Sequence, residues 1–283
     1  YTLQQHRDGK LILRSLNFQG EIKKEVTLPV FDPLIYMRNK TVSDDGSRFV
    51  SFVERSRAIK MVDLSDNSIQ TLLPEAGEYG MLIRMVEFIS DDEILIALDR
   101  NPDFDRDKAQ ILKYHIPSES LDTVKTMSRL NEVSLSPSHR FLAFTNHPIH
   151  NNLAILDLDT GDIVASQINE HGTRTGHFSW SPDETKIAYY ISSNDTIYVY
   201  DITKEESSVV RQFDEDVTCY DLFFTDNEHL ICSLGSEEGT FNDESPVIIN
   251  IDSGEIVQTI DSLPVWGGLF VADGGERIIY IYK

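Results

Sequence analysis

The sequence has little cysteine, and it has no apolar segment long enough to cross a membrane. Cys219 and Cys232 are its two cysteines. No apolar run approaches the roughly 18 residues that a transmembrane helix requires, so we expect no membrane insertion. The sequence begins at Tyr1 rather than Met and shows no signal-peptide pattern. It therefore leaves open whether an export signal has been removed.

Basic residues are also scarce. The 25 lysines and arginines face 47 aspartates and glutamates, which gives a formal net charge of −22. Nucleic-acid binding needs clustered positive charge for the phosphates, and anionic membrane surfaces attract basic segments. The charge therefore argues against both kinds of partner. It favours solubility and allows cationic ligands or divalent metals.

Motifs of nucleophilic catalysis and phosphate binding are absent. The sequence contains no Gly-x-Ser-x-Gly elbow and no glycine loop that would cradle phosphates. Neither cysteine lies in a context that would activate its thiol. Cys219 and Cys232 fall diagonally on neighbouring strands of one predicted hairpin, and we interpret them as two unpaired buried thiols, which fit either redox compartment.

What the sequence does contain is a repeat. A polar turn between two apolar, β-branched segments recurs every 44 to 47 residues, and we call it the anchor turn. The six anchor turns are Ser43-Asp44-Asp45-Gly46, Ser90-Asp91-Asp92-Glu93, Ser136-Pro137-Ser138-His139, Ser181-Pro182-Asp183-Glu184, Thr225-Asp226-Asn227-Glu228 and Ala272-Asp273-Gly274-Gly275. A second element follows in several repeats, an apolar strand that ends in Asp: Met61-Val62-Asp63-Leu64, Ile155-Leu156-Asp157-Leu158, Val199-Tyr200-Asp201-Ile202 and Ile249-Asn250-Ile251-Asp252.

Periods of this length with about four strands each are typical of a β-propeller. We predict an all-β single domain over residues 1–283, a six-bladed β-propeller of four-stranded antiparallel blades. The closing blade would be shared by N-terminal strands (1–6, 10–17 and 21–28) and C-terminal strands (268–272 and 277–282). Because both 1–6 and 277–282 look like second strands of a blade, seven blades are the alternative.

One repeat carries a family resemblance. Trp180-Ser181-Pro182-Asp183, followed by Ile187-Ala188 and Ile197-Tyr198-Val199-Tyr200-Asp201, resembles the TolB-type propeller repeat, a Pro-Asp relative of the WD repeat. The gating propellers of prolyl-peptidase-like hydrolases share this motif. The resemblance implies a propeller with an extracytoplasmic, periplasmic or surface-attached role in protein binding.

The predicted topology places the longest segments at one end of each sheet, which we call the loop end. It carries the loops between second and third strands (55–57, 99–108, 146–152, 192–196 and 235–246) and the connectors between blades (27–41, 74–81, 168–177 and 263–268). Variable loops on a rigid scaffold are where binding usually occurs. The candidate ligand- or partner-binding residues in these segments, outside the histidine group described below, are Arg55, Arg57, Arg100, Tyr36, Tyr79 and Trp266.

One of these loops has the oxygen spacing of a calcium site. Asp99, Asn101, Asp103, Asp105 and Asp107 supply alternating oxygen ligands, which a hard cation prefers. However, Phe104 stands where an EF-hand has glycine, and Arg100 and Arg106 can neutralise the loop. A solvated acidic loop is the alternative.

Histidines are concentrated in two neighbouring segments of the loop end. They are His147, His150, His171 and His177, with Arg174 among them. Three neutral imidazoles can hold Zn²⁺ or a similar ion, and Arg174 can bind an anion through two hydrogen bonds. The alternatives are a polar ligand or partner surface, and histidines without a special role.

The long loop 235–246 carries two acidic pairs, Glu237-Glu238 and Asp243-Glu244. Paired carboxylates can perform acid–base catalysis, but in so acidic a chain we interpret them as solvated. The sequence thus predicts no catalytic residues and no obligatory cofactor, with Ca²⁺ or Zn²⁺ as options. We expect a monomeric, periplasmic or extracellular module, with a cytoplasmic location left open, that binds a protein or peptide partner. The alternative is a propeller lyase or hydrolase with a loop-bound divalent metal.

Overall fold

The computed structural model describes residues 2–5, 11–16, 22–28, 42–53, 58–73, 81–100, 108–146, 152–166, 168, 175–214, 217–235, 246–260, 267–272 and 277–282. The chain forms two compact units, residues 1–130 and residues 131–283. Among the described residues there is no helix that is long and apolar enough to cross a membrane.

Unit 1 contains three antiparallel sheets. The first has β1 (Thr2–Gln5), β2 (Leu11–Leu16) and β3 (Ile22–Leu28). The second has β4 (Arg48–Val53), β5 (Ala58–Asp63) and β6 (Ile69–Leu73). The third has β7 (Met81–Ser90), β8 (Glu93–Arg100), β9 (Ala109–His115) and β10 (Ser120–Met127).

Unit 2 contains four antiparallel sheets. The first has β11 (Val133–Leu135), β12 (Phe141–Asn146), β13 (Asn152–Asp157) and β14 (Ile163–Ala165). The second has β15 (Thr175–Trp180), β16 (Lys186–Ile191), β17 (Thr196–Asp201) and β18 (Glu206–Gln212). The third has β19 (Thr218–Phe224), β20 (His229–Gly235), β21 (Pro246–Asn250) and β22 (Ile256–Thr259), and the fourth has β23 (Gly267–Ala272) and β24 (Arg277–Tyr282).

Within each sheet the topology is a meander in which each strand pairs with the next one in sequence. Within unit 1 the first strand of the second sheet, β4, lies beside the first strand of the third sheet, β7. Within unit 2, β11 lies beside β15, β15 beside β19, and β19 beside β23. First strands of successive sheets are therefore neighbours, which is the arrangement expected between blades of a propeller.

Apolar side chains fill the space between successive sheets. In unit 1, residues of β4–β6 such as Ile59 pack with residues of β7–β10 such as Ile96. In unit 2, one cluster joins the sheets β11–β14 and β15–β18, and another joins β15–β18 and β19–β22. Burying strand after strand on both faces explains why β8 and β16 consist of nearly continuous apolar runs.

Trp180, in the repeat with the TolB-type motif, belongs to one of these inter-sheet clusters. Its ring stacks on Phe141 at a centroid distance of 6.2 Å, and its Nε1–H donates to the carbonyl of Ser134 at 3.0 Å. The motif tryptophan thus fastens the second sheet of unit 2 to the first.

The anchor turns are also linked from sheet to sheet. The amide of the third turn residue donates to a side chain of the next anchor turn: Asp45 N–H to Asp91 (3.2 Å), Ser138 N–H to Glu184, and Asp183 N–H to Asn227 (3.1 Å). Inside two of the turns a serine hydroxyl donates to an aspartate at 2.7 Å, Ser43 to Asp45 and Ser181 to Asp183. The polar residues that mark the repeat therefore hold the sheets together.

The aspartates of the second periodic element close the turn between the third and fourth strands. Asp157 accepts the amides of Asp159 and Thr160, and Asp201 accepts those of Thr203 and Lys204. In the third sheet of unit 2 the corresponding residue is Asn250, which accepts the amides of Asp252 and Ser253. The expected alignment on Asp252 was therefore wrong by two residues.

Cys219 and Cys232 form a disulfide, with their Cα atoms 5.9 Å apart. Cys219 lies opposite Leu234, and Cys232 lies opposite Leu222, so the predicted diagonal placement is confirmed. The interpretation as two unpaired thiols was wrong, because a register shift at Tyr220 brings the two strands' cysteines into bonding distance.

The strand count differs from the expected pattern in one repeat. The sheet β4–β6 has three named strands, and Val42 adds only a single bridge to Phe49 in the place of a first strand. The sheets β1–β3 and β23–β24 have three and two strands. Four sheets of the described chain are four-stranded.

Candidate functional site

The most distinctive site at a loop end belongs to the sheet β7–β10. Residues 81–89 of β7 are apolar except for Arg84 and Glu87. Arg84 lies in a β-bulge: Ile83 pairs with Leu98 and Met85 pairs with Ala97, so Arg84 has no partner residue in β8. Bulges re-aim a side chain and are frequent beside functional sites.

Arg84 is held by a buried carboxylate. Its Nη2 donates to Oδ2 of Asp99 at 2.9 Å, and the Asp99 side chain is 5% exposed. Oδ1 of Asp99 accepts the amide of Leu130 at 3.0 Å. The bulge, the end of β8 and the connector after β10 therefore meet at one carboxylate, which fixes the guanidinium.

The same pair of residue types occurs at the anchor-turn end of another sheet. Arg140 Nη2 donates to Asp157 Oδ2, also at 2.9 Å, and Asp157 is equally buried. Burial by itself would raise the pKa of Asp157, but hydrogen bonds from the Asp159 amide and the Arg140 guanidinium outweigh it, and its pKa is lowered. There the aspartate closes a turn and the guanidinium lies over the ring of Phe141 at 4.8 Å.

Leu82 adds an apolar group beside Arg84. It is 43% exposed. The other exposed large apolar residues among the described ones all lie in the last strand of a sheet: Ile69, Leu121, Ile163, Val164, Val209, Ile256 and Val257. Leu82 lies instead in a first strand, opposite Asp99.

A second polar cluster lies at the loop end of β15–β18. Tyr190 donates to Oδ1 of Asp195 at 2.7 Å, and burial together with this bond raises the pKa of Tyr190 far above its ordinary value. Asn194 donates to the hydroxyl of Tyr198 at 3.0 Å, and that ring stacks on Tyr189. The Tyr190 hydroxyl thus donates a hydrogen bond that supports the loop 192–195.

A cavity of about 230 Å³ lies in unit 1 near an anchor turn. Its lining residues are Arg48, Met61, Asp63, Ser68, Gln70 and Ile116. Arg48 donates to the carbonyl of Asp91 at 2.7 Å, and Gln70 donates to Glu119 at 3.1 Å. These groups link the sheets β4–β6 and β7–β10, so the cavity is bordered by structural contacts.

Of the predicted site residues, Asp99 is the one whose side chain is described, and it is paired with Arg84 and the Leu130 amide. Arg100 and His177 lie in β8 and β15, but their side chains fall outside the described part of the chain. The remaining predicted residues lie outside the described ranges: Tyr36, Arg55, Arg57, Tyr79, Asn101, Asp103, Asp105, Asp107, His147, His150, His171, Arg174 and Trp266. Within the ranges that are described, no group of three or more His, Cys, Asp or Glu residues is placed to hold a metal ion.

Sequence reasoning missed Arg84 and Leu82. A signal was present, because a single arginine inside the apolar run Met81-Leu82-Ile83-Arg84-Met85-Val86 conflicts with burial of the strand. The bulge that resolves this conflict is a property of strand pairing and does not follow from the pattern.

Comparisons with known proteins locate the fold. No protein-family model matches the sequence, and no curated protein matches it. An oligogalacturonate lyase solved in complex with manganese matches with a TM-score of 0.67 at 14% identity, over 96% of this chain and 78% of that chain. Dipeptidyl peptidase 4 of Porphyromonas gingivalis matches with a TM-score of 0.54 at 15% identity. That match covers 78% of this chain and 39% of the peptidase, so the chain spans less than half of that protein.

Identities this low establish similarity of fold only, and one fold serves many functions. The four-stranded meander sheets, the contacts between their first strands and the two structural matches together support a β-propeller fold for this chain.

Proposed function

We propose that the protein is a non-catalytic binding module, a TolB-like propeller that engages a protein or peptide partner at the loop ends of its sheets. In this proposal residues 1–283 form one domain of six blades. The strands β1–β3 and β23–β24 would share the closing blade. Seven blades would result if these two sheets stayed separate.

The observation that carries the proposal is the contrast between the two ends of the sheets. At the anchor-turn ends, the described aspartates bond their own turn, as Asp45 and Asp63 do, and neighbouring turns bond each other. At the loop end of β7–β10, a buried aspartate positions a partly exposed arginine beside an exposed leucine, whereas the similarly paired Arg140 at an anchor-turn end lies over the ring of Phe141. Polar groups that already have internal partners have little to offer a ligand, whereas a positioned guanidinium does.

The module would act in an oxidising compartment, periplasmic or extracellular, as a monomer without nucleic-acid or membrane-inserting activity. The disulfide Cys219–Cys232 supports this location, since disulfides persist mainly outside the cytosol. The net charge of −22 supports the exclusion of polyanionic partners.

Peptide selection tests the binding function. A random peptide library would be selected on the immobilised protein. Enriched peptides would then be measured against a variant in which loops 101–107, 147–151 and 236–245 are replaced by Gly-Ser segments. We expect binding to be lost in this variant and kept in a matched variant with exposed anchor-turn residues Asp44 and Asp92 changed to Ser. Failure to enrich any peptide, or equal binding by the loop variant, would contradict the proposal.

The closing blade has its own test. Cysteines would be introduced in pairs into β1 and β24. Oxidative cross-links between the two strands are expected if they pair in one shared blade. No cross-link at any register would favour seven blades.

A metal-dependent propeller lyase or hydrolase is the second candidate, and the whole-chain match to a lyase in complex with manganese favours it. Three of the four histidines His147, His150, His171 and His177 would hold the ion, with Arg174 at the ligand. The acidic loop at Asp99 is the less suitable calcium site, because the carboxylate of Asp99 already binds Arg84 and the Leu130 amide.

Metal analysis separates the two candidates. A bound ion stabilises the folded state by about 2.7 kcal/mol at a hundredfold excess over its dissociation constant. The enzyme candidate therefore predicts stoichiometric metal and a melting temperature that falls with chelator and recovers with Mn²⁺ or Zn²⁺. The binding module predicts the same melting temperature with and without chelator.

A further inference from the structure

We infer that Arg84 binds a carboxylate, and that the ligand is the C-terminal carboxylate of an extended peptide with an apolar last residue. The inference rests on the proposed function and specifies its ligand. It assigns Arg84 and Leu82 as the binding residues and Asp99 as the residue that positions Arg84.

The ion pair fixes the guanidinium without covering it. Arg84 bonds Asp99 through Nη2 alone, and its side chain is 31% exposed. Among the residues that the structure describes, Asp99 is the one group to which Arg84 is bonded. Toward the described residues, the rest of the planar fork makes no bond, and its geometry suits the two-point contact that arginine makes with carboxylates.

Burying an aspartate in order to hold a surface arginine costs free energy of folding. Desolvation of the carboxylate opposes folding, and in buried ion pairs this penalty can exceed the Coulombic gain. Asp99 also accepts the Leu130 amide, so it is fixed from two sides. The guanidinium of Arg84 is therefore held in one orientation.

The bulge and Leu82 indicate what accompanies the carboxylate. Leu82 and Arg84 are two residues apart in β7, within about 7 Å along the strand, so the end of a peptide can present its carboxylate to Arg84 and its last side chain to Leu82. Leu82 exposes apolar surface to water in the first strand of a sheet. Among the described residues, no other large apolar residue is exposed in a first strand. An acidic sugar supplies the carboxylate but not the apolar group.

The test uses N-acetyl-Gly-Gly-Leu, its C-terminal amide, N-acetyl-Gly-Gly-Gly and trigalacturonate, measured by ligand-observed NMR at low ionic strength. We expect the leucine acid to bind, and the amide and the glycine peptide each to bind at least about tenfold more weakly. Trigalacturonate is expected not to compete with the leucine acid.

The variants are chosen to keep the fold. Arg84→Gln alone would leave Asp99 buried and unpaired, so the double variant Arg84→Gln/Asp99→Asn is used. The matched control is Arg140→Gln/Asp157→Asn, which removes an ion pair of the same length at an anchor-turn end. Binding of the leucine acid should fall at least about tenfold in the first variant and stay unchanged in the control.

Equal binding of acid and amide, equal binding by the two double variants, or no binding of the acid would each overturn the inference. Arg84-dependent binding of trigalacturonate would overturn it in favour of an acidic polysaccharide. Peptides that are selected on the loop ends but ignore Arg84 would refute this inference while the proposed function stands.

Discussion

Single aspartates stabilise this protein by completing turns. Oδ1 of Asp201 accepts three hydrogen bonds, from the amides of Thr203 and Lys204 and from the Thr203 hydroxyl, and Oδ2 pairs with the Lys204 ammonium at 2.9 Å. Bonds from the Thr203 hydroxyl and from Lys204 hold the pKa of Asp201 well below its ordinary value. Asn250 accepts the equivalent backbone amides with an uncharged amide oxygen. The turn therefore needs a hydrogen-bond acceptor at this position but not a negative charge.

We predict that Asp201→Ala lowers the free energy of unfolding by about 1–2 kcal/mol at neutral pH, since three donors lose their acceptor. Asp201→Asn should cost less, because an amide oxygen can still accept. Urea unfolding measures both.

The pH dependence follows from the lowered pKa of Asp201. A depressed folded-state pKa contributes stability above the unfolded value of about 3.9, and this contribution is lost as pH falls toward the folded value. The difference between wild type and Asp201→Asn should therefore shrink below about pH 4. A difference that stayed constant or grew on acidification would contradict this account.

The neighbouring sheet leaves no room for a side chain at the position of Gly254. Its φ is +69°, and a Cβ there would collide with the carbonyl oxygen of Val210. Asn67 occupies the corresponding turn position in the sheet β4–β6 with a φ of +60°. Positive φ alone is thus compatible with a side chain at this position.

We predict that Gly254→Ala lowers the free energy of unfolding by about 3 kcal/mol, from left-handed strain plus overpacking. Asn67→Ala is the control and should cost about 1 kcal/mol or less. Equal losses in thermal or urea unfolding would show that Val210 can move away.

At the scale of elements, β19 and β20 are joined by the disulfide and by their ladder. Cys219 and Cys232 are buried in the apolar cluster between the sheets β15–β18 and β19–β22. A cross-link between residues 13 apart lowers the conformational entropy of the unfolded chain. In the chain-entropy model this stabilises the folded state by about 3 kcal/mol.

We predict no reactive thiol in the denatured protein before reduction and two after it. Cys219→Ala/Cys232→Ala should unfold at lower urea concentration, with a loss of about 2–3 kcal/mol, and should give the same midpoint with and without reductant. Two thiols in the unreduced protein would refute the disulfide.

At the scale of the whole molecule, the net charge of −22 opposes compaction. Many carboxylates of the described anchor turns accept local hydrogen bonds, yet these bonds do not neutralise the charges. Screening should reduce the repulsion over distances beyond roughly 10 Å at 0.1 M salt.

We predict that NaCl raises the melting temperature, by roughly 2–4 °C for each ~1 kcal/mol of repulsion relieved. Tetramethylammonium chloride should act equally, because screening does not depend on the cation. A rise with sodium alone would indicate specific cation binding, and a fall with both salts would show that ion pairs such as Arg84–Asp99 dominate.

The sequence by itself determined the repeat. Anchor turns at 44- to 47-residue intervals, separated by β-branched runs, predicted the meander sheets, because turn chemistry and strand periodicity are local properties. The strand pairs β1–β2 and β23–β24 followed from the same pattern and are confirmed.

Only the tertiary structure decided which residues meet. The bulge at Arg84, the burial of Asp99 and the bond between Cys219 and Cys232 depend on how one strand shifts against another. A shift of one residue leaves the apolar pattern of a strand buried on both faces almost unchanged. The apolar pattern of the sequence therefore does not reveal such a shift, although the shift decides where a charge or a sulfur atom lies.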